Sequence, residues 1–236
     1  MAPFGTLYTT VKFLHARVTK ILAAANLNGL DISIDPDFKY GVTNQTAEYI
    51  SKFPHGKIPA FETPSGFCLA EGSAIAYYVA DSGPRRNQLL GRTPEERALV
   101  QMWISFADSQ IWPDGTAILS PMMGSSKYDK EVVEFHESQF VRALRRLEQH
   151  LCQSDKVWLV RDELSLADLS VASGLLWPLK IFMDPEYRKD FPNIIQWWER
   201  LLAVEGVGNA FDAPVKLAMK RPAADGSEAD TTRTFS

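Results

Sequence analysis

The sequence has few cysteines, no excess of positive charge and no long apolar run. Its two cysteines, Cys68 and Cys152, are too few and too widely spaced for a disulfide framework or a cysteine-based metal site. The 25 Lys and Arg residues against 29 Asp and Glu give a net charge of −4, which offers no basic surface to nucleic-acid phosphates or anionic lipid. The longest run without a charged residue, 115–126, is far shorter than the ~20 residues that span a bilayer. We therefore expect a cytoplasmic protein that uses no metal and binds neither nucleic acid nor membranes.

Alternating apolar segments and helical patterns succeed one another over residues 1–82. Val18, Ile21 and Leu22 share one helical face, and Gly29 ends that helix before a second alternating segment. A strand, a helix and a strand over so short a stretch predict two parallel strands joined by a crossover helix. The complete order is β-α-β-α-β-β-α, an α/β domain. The predicted strands are 5–9, 30–34, 59–63 and 66–69, and the predicted helices are 17–27, 46–52 and 72–80.

Only helical patterns occur after residue 93. Thr93 and Glu96, and again Ser165 and Asp168, have the spacing of a capping box, in which two side chains satisfy the free N–H groups at a helix start. These signals predict an all-helical bundle. The tail is polar and is expected to be disordered. The predicted division is an α/β domain at 1–82, a linker at 83–93, an all-α domain at 94–220 and a disordered tail at 221–236.

Two segments of the first domain carry a specific resemblance. They are 53–63 (FPHGKIPAFET) and 69–80 (LAEGSAIAYYVA). On these residues the sequence resembles the glutathione transferase family, and it is most similar to the transferase-like N-terminal region of the gamma subunit of translation elongation factor 1, of fungal type. Roughly residues 4–215 share the resemblance. It implies a thioredoxin-like N-terminal domain followed by an all-helical domain, with glutathione as co-substrate.

The resemblance assigns part of a glutathione site to the segment before the third strand. In the family, the peptide bond at the position of Ile58-Pro59 is cis, and the backbone there pairs with the cysteinyl backbone of glutathione as an added strand would. Lys57 is implied as a partner of the glycyl carboxylate, with an ordinary surface lysine as the alternative. His55 is placed similarly.

The start of the third helix is implied to hold the other end of glutathione. Glu71 matches the residue that binds the γ-glutamyl ammonium. Gly72 stands where the family has a serine, so the helix N–H that binds the α-carboxylate is kept and the hydroxyl is lost. A lost hydrogen bond to a charged group weakens binding by ~1.5–3 kcal/mol. Ser73 comes one position later, and we expect it either to contact glutathione or only to cap the helix.

The resemblance implies that the thiolate-stabilising group lies at the end of the first strand or in the turn after it. The reaction needs a donor that favours the thiolate, because a free thiol has a pKa of ~8.5. When the related sequences are matched backward from Arg17, His15 falls where they often have asparagine or serine. When they are matched forward from the strand, Tyr8 or Thr10 is favoured. We take Tyr8 and His15 together as the catalytic candidates. Thr9 and Lys12 also lie in this segment.

A pocket for the second substrate is expected between the two domains, where apolar ligands often bind. Thr10, Trp103, Phe106 and Trp112 are the residues predicted to line it. For each aromatic side chain the alternative is the core of the helical bundle.

Three functions are compatible with these features. The first is an enzyme that transfers glutathione to a small apolar electrophile, in detoxification or secondary metabolism, with elimination or isomerisation also open. The second is a non-catalytic binding or scaffold module related to the translation elongation complex, although we expect no further C-terminal domain of the kind that this role involves. The third is ligand carriage. A homodimer is expected, with residues 64–80 and 94–110 at the contact.

Overall fold

Four short strands form one mixed sheet in the computed structural model, which describes residues 3–153 and 157–227. The strands are β1 (Gly5–Tyr8), β2 (Ile32–Ile34), β3 (Ala60–Glu62) and β4 (Cys68–Ala70). Their order in the sheet is β2-β1-β3-β4. β1 runs parallel to β2 and antiparallel to β3, and β3 runs antiparallel to β4. This is the thioredoxin-like sheet that was predicted.

Three helices complete the N-terminal unit: α1 (Ala16–Asn28), α2 (Ala47–Lys52) and α3 (Gly72–Asp81). α1 is the predicted crossover between the parallel strands. It ends at Gly29, whose φ of +64° is the left-handed conformation that glycine adopts most readily at the end of a helix.

The second unit is all-helical, as predicted. Its chain runs without a break through a helix at Pro94–Phe106, a π-helical turn at 107–111 and a helix at Trp112–Met122. The predicted linker contains a short helix at Arg86–Leu90. Leu89 and Leu90 of this helix bury their side chains in the core. The helices are α4 (Arg86–Leu90), α5 (Pro94–Phe106), α6 (Trp112–Met122), α7 (Lys130–Leu151), α8 (Leu166–Ile181), α9 (Pro185–Arg188) and α10 (Pro192–Leu202).

One apolar core runs through both units. Leu7 of β1, Ile21 of α1 and Leu169 of α8 are fully buried members of it. A smaller cluster on the other face of the sheet contains Phe38, Tyr49 and Phe53, and we call it the second cluster. Because α1 and α8 share the main core, the first turn of α1 is held against the helical unit.

The segment predicted as a disordered tail begins with ordered contacts. The guanidinium of Arg221 donates to both carboxylate oxygens of Glu137, at 2.5 and 2.9 Å, and its backbone N–H donates to Asp184. Arg221 therefore attaches the start of this segment to the helical unit, and 228–236 lie outside the described residues. No helix in the described part of the chain is long and apolar enough to cross a membrane.

The capping box at the start of α8 organises the helical core. Asp168 is fully buried, and its carboxylate accepts from Ser165 N and Oγ, Leu159 N and Trp197 Nε1, at 2.9 to 3.0 Å. One carboxylate therefore satisfies donors from three separate parts of the chain.

We expect Asp168→Ala to lower the free energy of unfolding by at least about 3 kcal/mol, because it leaves several buried donors without an acceptor. Urea unfolding followed by circular dichroism measures the change. Asp162→Ala removes an exposed carboxylate a few residues earlier and serves as the control, with an expected change within about 0.5 kcal/mol. Equal effects of the two substitutions would contradict the role given to Asp168.

Candidate active site

Three segments of the chain meet at one edge of the sheet. The register pairs Tyr8 with Ala60 and Ala60 with Ala70, so the ends of β1 and β4 lie beside the start of β3. A Cβ atom built on Gly72 would lie 3.3 Å from Arg17 Cβ and 3.5 Å from Pro59 Cγ. The first turns of α1 and α3 and the residue before β3 are therefore in direct contact.

The segment before β3 has the predicted backbone. The Ile58–Pro59 peptide bond is cis. The hydroxyl of Tyr49 donates to the carbonyl of Lys57 at 2.8 Å and fixes the main chain just ahead of that bond. The side chains of Lys57 and His55 are exposed, so both reach into solvent.

Glu71, between β4 and α3, has an unusual backbone. Its φ of +70° with ψ of 115° is a conformation that non-glycine residues rarely adopt and that costs about 1–3 kcal/mol. The side chain is exposed and does not cap α3. Such conformations cluster at functional sites, which agrees with the role that the resemblance gave to Glu71.

The hydroxyl of Ser73 neither caps α3 nor points freely into the site. It accepts from Lys20 Nζ at 2.7 Å and donates to Asp108 Oδ2 at 2.5 Å. The expectation that Ser73 only caps the helix is therefore wrong, because a buried ammonium group and a carboxylate from the π-helical turn engage its hydroxyl. A contact of Ser73 with glutathione stays a prediction. Gly72 supplies only backbone at the start of the helix.

Lys20 is buried without access to solvent. Its Nζ lies 3.5 Å from Asp108 Oδ1, and Arg17 Nη1 lies 3.9 Å from the same oxygen. Burial lowers the pKa of Lys20 to about 8, although the charge of Asp108 acts to raise it. At neutral pH the group is therefore mostly protonated and adds a positive charge beside the first turn of α3.

His15 stands directly before α1, as its N-terminal flanking residue. It makes no side-chain capping bond, and its Nδ1 is buried without a hydrogen-bond partner. Burial, together with the nearby charge of Arg17, lowers the pKa of His15 to about 4. The imidazole is thus neutral at physiological pH. The hydroxyl of Thr9, in the same turn, is also buried without a partner.

Tyr8 does not join this group. Strand alternation directs Leu7 into the main core and Tyr8 into the second cluster, on the opposite face of the sheet. The Tyr8 hydroxyl donates to Glu62 Oε2 at 2.8 Å, and Lys52 pairs with the same carboxylate. Burial and Glu62 raise the pKa of Tyr8 above its usual value. The expected thiolate-stabilising role of Tyr8 therefore has no support in the structure.

An apolar cavity of about 210 Å³ lies between α6 and α8. It adjoins the sheet-edge site through two contacts with α1. The guanidinium of Arg17 stacks on the ring of Trp112, 4.2 Å from its centroid, and Ser173 Oγ donates to the carbonyl of Ala16 at 2.6 Å. The lining residues are Trp112, Gly115, Thr116, Leu119, Ser120, Met123, Ser125, Gly174, Trp177, Pro178 and Ile181.

Of the four residues predicted to line a pocket between the two domains, Trp112 is in the wall of this cavity, and Thr10, Trp103 and Phe106 are not. Trp103 is buried in the helical core against Phe106 and His150, at ring distances of 5.2 and 4.9 Å. Phe106 packs on the same core. The Thr10 hydroxyl accepts from the backbone N–H of Lys12, so it stabilises the turn after β1. In the described ranges, no group of three or more His, Cys, Asp or Glu residues could hold a metal ion.

Two family models match most of the chain. The N-terminal domain of glutathione S-transferase matches residues 4–81, and the C-terminal domain matches residues 111–205. The chain belongs to the glutathione S-transferase family, which confirms the resemblance read from the sequence.

Individual relatives agree with this assignment. The glutathione S-transferase-like protein FUS3 of Gibberella moniliformis is 43% identical over 221 residues, which cover 94% of this chain and 98% of that protein. Elongation factor 1-gamma of Rattus norvegicus is 40% identical over 197 residues, 82% of this chain and 43% of that protein. The glutathione transferase URE2P6 of Phanerochaete chrysosporium, solved with oxidized glutathione, has the same fold, with a TM-score of 0.78 at 20% identity over 89% of this chain and 96% of that one.

The partial burial of His15, with its Nδ1 shielded from solvent, makes stability depend on pH. Since its pKa falls from 6.5 to about 4 on folding, the stability that comes from the neutral form is fully present above pH 6.5 and is lost as the pH falls toward 4. We expect His15→Gln to remove this component, so that wild type loses about 2 kcal/mol more than the variant between pH 7 and pH 4.5. Urea unfolding at the two pH values measures the difference.

His55→Gln is the matched control, because His55 is exposed. It should follow the wild-type pH dependence. A wild-type pH dependence in His15→Gln as well would show that His15 is not buried as a neutral group.

Proposed function

We propose that the protein is a glutathione transferase that conjugates a small apolar electrophile. The observation that carries the proposal is the contact of Gly72 with Pro59 and Arg17, which brings the start of α3, the residue before β3 and the first turn of α1 together next to an apolar cavity. Glu71 directly precedes Gly72, and His15 directly precedes α1. One region then offers a backbone for the tripeptide, a donor for its sulfur and a separate chamber for a second reactant. Holding two reactants in contact is itself a large part of catalysis in such a reaction.

The tripeptide would bind along the edge formed by the residue before β3 and the start of α3. The backbone of Ile58 would pair with the cysteinyl unit in the manner of an added strand. Glu71 would hold the γ-glutamyl ammonium, and the N–H groups at the start of α3 would hold its carboxylate. Lys57 is long and exposed, which suits a contact with the glycyl carboxylate at the other end.

His15 is the group that we propose for stabilising the thiolate. A neutral imidazole carries one N–H donor, and a donor directed at sulfur favours the anion over the thiol. The start of α1 adds the positive end of a helix dipole at the same place. The proton leaves to solvent, since a base with a pKa near 4 does not retain it at neutral pH.

The relatives support this proposal from two sides. FUS3 is described as transferase-like, and URE2P6 was solved with oxidized glutathione bound. The second candidate function, a non-catalytic binding module, is favoured by the identity with elongation factor 1-gamma. It is also favoured by Gly72, which lacks the hydroxyl expected at the carboxylate end.

We also propose a homodimer. Both segments expected at its contact carry large exposed apolar side chains, and such side chains are typical of surfaces that are covered in an assembly. They are Phe67, Tyr77, Leu99 and Met102.

Calorimetric titration with reduced glutathione tests the proposal. We expect binding by the wild type and at least about 10-fold weaker binding by Glu71→Ala, because the variant loses a charged partner of the ammonium group. Glu205→Ala removes an exposed carboxylate elsewhere and should bind as the wild type does. If the wild type binds no glutathione at millimolar concentration, the transferase proposal fails and the binding module takes its place.

The thiolate donor is tested by the ultraviolet absorbance of bound glutathione as the pH is varied. We expect His15→Ala to raise the pKa of the bound thiol by roughly one unit and to lower kcat, since removal of the only side-chain donor at this position destabilises the anion. Tyr8→Phe should leave that pKa in place, because the Tyr8 hydroxyl is engaged with Glu62. The reverse pattern would return the role to Tyr8.

A further inference from the structure

Two positive charges face a single negative charge beside the first turn of α3. Lys20 Nζ has no access to solvent and donates to Ser73 Oγ at 2.7 Å. Asp108 Oδ1 lies 3.5 Å from this nitrogen, and Arg17 Nη1 lies 3.9 Å from the same oxygen. We call these four residues the Lys20 cluster. An arginine keeps its proton at physiological pH, whereas a buried lysine can lose its proton. The net charge of the cluster is therefore +1 while Lys20 is protonated and zero once that proton is lost.

The other elements that pack on α1 bring no further charge to this cluster among the described residues. The turn at 208–211 contains no ionisable residue. On α8, Asp168 is occupied by its capping box, and Lys180 stacks on an indole ring at 4.9 Å. On α3, Asp81 forms an ion pair at the far end of the helix, and Glu71, just before the helix, has an exposed side chain. The charge of the cluster is thus set by its own members.

The proton of Lys20 is held weakly. Burial is the largest cause and lowers the pKa of Lys20, the charge of Asp108 acts to raise it, and Arg17 lowers it further, which brings it from 10.5 to about 8. An ordinary lysine stays protonated up to pH ~10. Lys20 therefore changes its charge in mildly alkaline solution, where the arginine of the cluster does not.

The first turn of α3 lies next to this variable charge. α3 begins without a side-chain cap, and the N–H of Ile75 donates to the carbonyl of Glu71 at 2.9 Å. The N–H groups before it have no partner within the helix, as at the start of any α-helix. One of them belongs to Ser73, whose hydroxyl binds Lys20 Nζ. The buried ammonium group is thus bound to a residue that also presents a free N–H at the helix start.

This inference rests on the glutathione site of the proposed function. From the arrangement we propose that the proton of Lys20 controls the affinity of the first turn of α3 for the α-carboxylate of glutathione. While Lys20 is protonated, the excess positive charge adds to the free N–H groups and attracts the carboxylate. When the proton is lost, the cluster is neutral and only the N–H groups remain. Glutathione therefore binds more weakly in mildly alkaline solution.

The effect is reciprocal, because two ligands of one protein change each other's affinity by the same factor. The carboxylate favours the protonated form of Lys20, so bound glutathione raises the pKa of this group. At a pH near 8, binding of the carboxylate is then accompanied by uptake of a proton at Lys20. A lysine that served only to hold α1 against α3 would show no such response to the ligand.

The affinity for S-methylglutathione as a function of pH tests the proposal. This probe is a thioether, so ionisation of a thiol does not affect its binding. We expect Lys20→Met to bind it about 5-fold more weakly than the wild type at pH 6.5 and nearly equally at pH 9.5, since only the protonated lysine contributes. Titration of the probe and of Glu71 is common to both proteins and cancels in the ratio of the dissociation constants. Lys216→Met removes an exposed lysine and should bind as the wild type does at every pH.

The outcomes separate this inference from the proposed function. A constant ratio for Lys20→Met between pH 6.5 and pH 9.5 would overturn the control by Lys20 and leave the transferase proposal standing. A ratio that falls with pH, in a protein that conjugates no electrophile, would support the control by Lys20 while the transferase proposal fails. Absence of binding at every pH would overturn both.

If Lys20→Met does not fold, the lysine itself is observed in the wild type. In a carbon NMR spectrum of protein labelled at the lysine ε-carbons, we expect one signal to titrate near pH 8. Saturating S-methylglutathione should raise its midpoint by roughly 0.7 unit, which corresponds to the fivefold difference in affinity. Asp108→Asn should lower the midpoint, because the charge of Asp108 stabilises the ammonium form. A midpoint that is the same with and without the probe would overturn the inference.

Discussion

The buried ammonium group of Lys20 is the interaction on which the arrangement of the site depends. A charge without access to water is tolerated only when it is paired and hydrogen-bonded. Ser73 and Asp108 provide that pairing, one from α3 and the other from the π-helical turn. Three elements that are distant in sequence are thereby fixed around one nitrogen atom. Removing Asp108 would leave the buried charge uncompensated, and removing Ser73 would take away its hydrogen-bond acceptor. The arrangement therefore stabilises a geometry more than it contributes net energy.

As a result, the region around the start of α3 and the apolar cavity between α6 and α8 are held together as one unit. The first turn of α1 lies against Gly72, which also lies against Pro59, and it touches the cavity wall through Trp112. Ser173 of α8 also donates to the carbonyl of Ala16. A sulfur atom held at the start of α1 would thus have a defined position relative to the cavity. Such a reaction depends strongly on position, because small displacements of the reacting atoms cost rate.

Local patterns in the sequence were sufficient for most of the fold, since strand alternation, turn residues and helix caps act over short distances. Strand alternation also predicts that the side chains of Leu7 and Tyr8 lie on opposite faces of the sheet. The prediction that Tyr8 is catalytic did not take this into account. The pairing of Lys20 with Asp108 could not be predicted, because only tertiary packing brings the two together. Similarly, the π-helical turn changes the helical period after Trp103, so α-helical spacing could not show which aromatic side chains reach the cavity.

The same charge pair bears on the loss of a hydroxyl at Gly72. A serine there would give one directional hydrogen bond to the carboxylate of the tripeptide. Apart from Glu71, whose charge is assigned to the ammonium group of the tripeptide, Arg17 and Lys20 carry two positive charges against the single negative charge of Asp108, immediately beside the first turn of α3. The excess positive charge adds to the positive end of the α3 dipole, and both favour an anion. Electrostatic attraction of this kind is less directional than a hydrogen bond and is weakened by salt. A site built in this way can keep its preference for a carboxylate without the hydroxyl, and its affinity then depends on ionic strength.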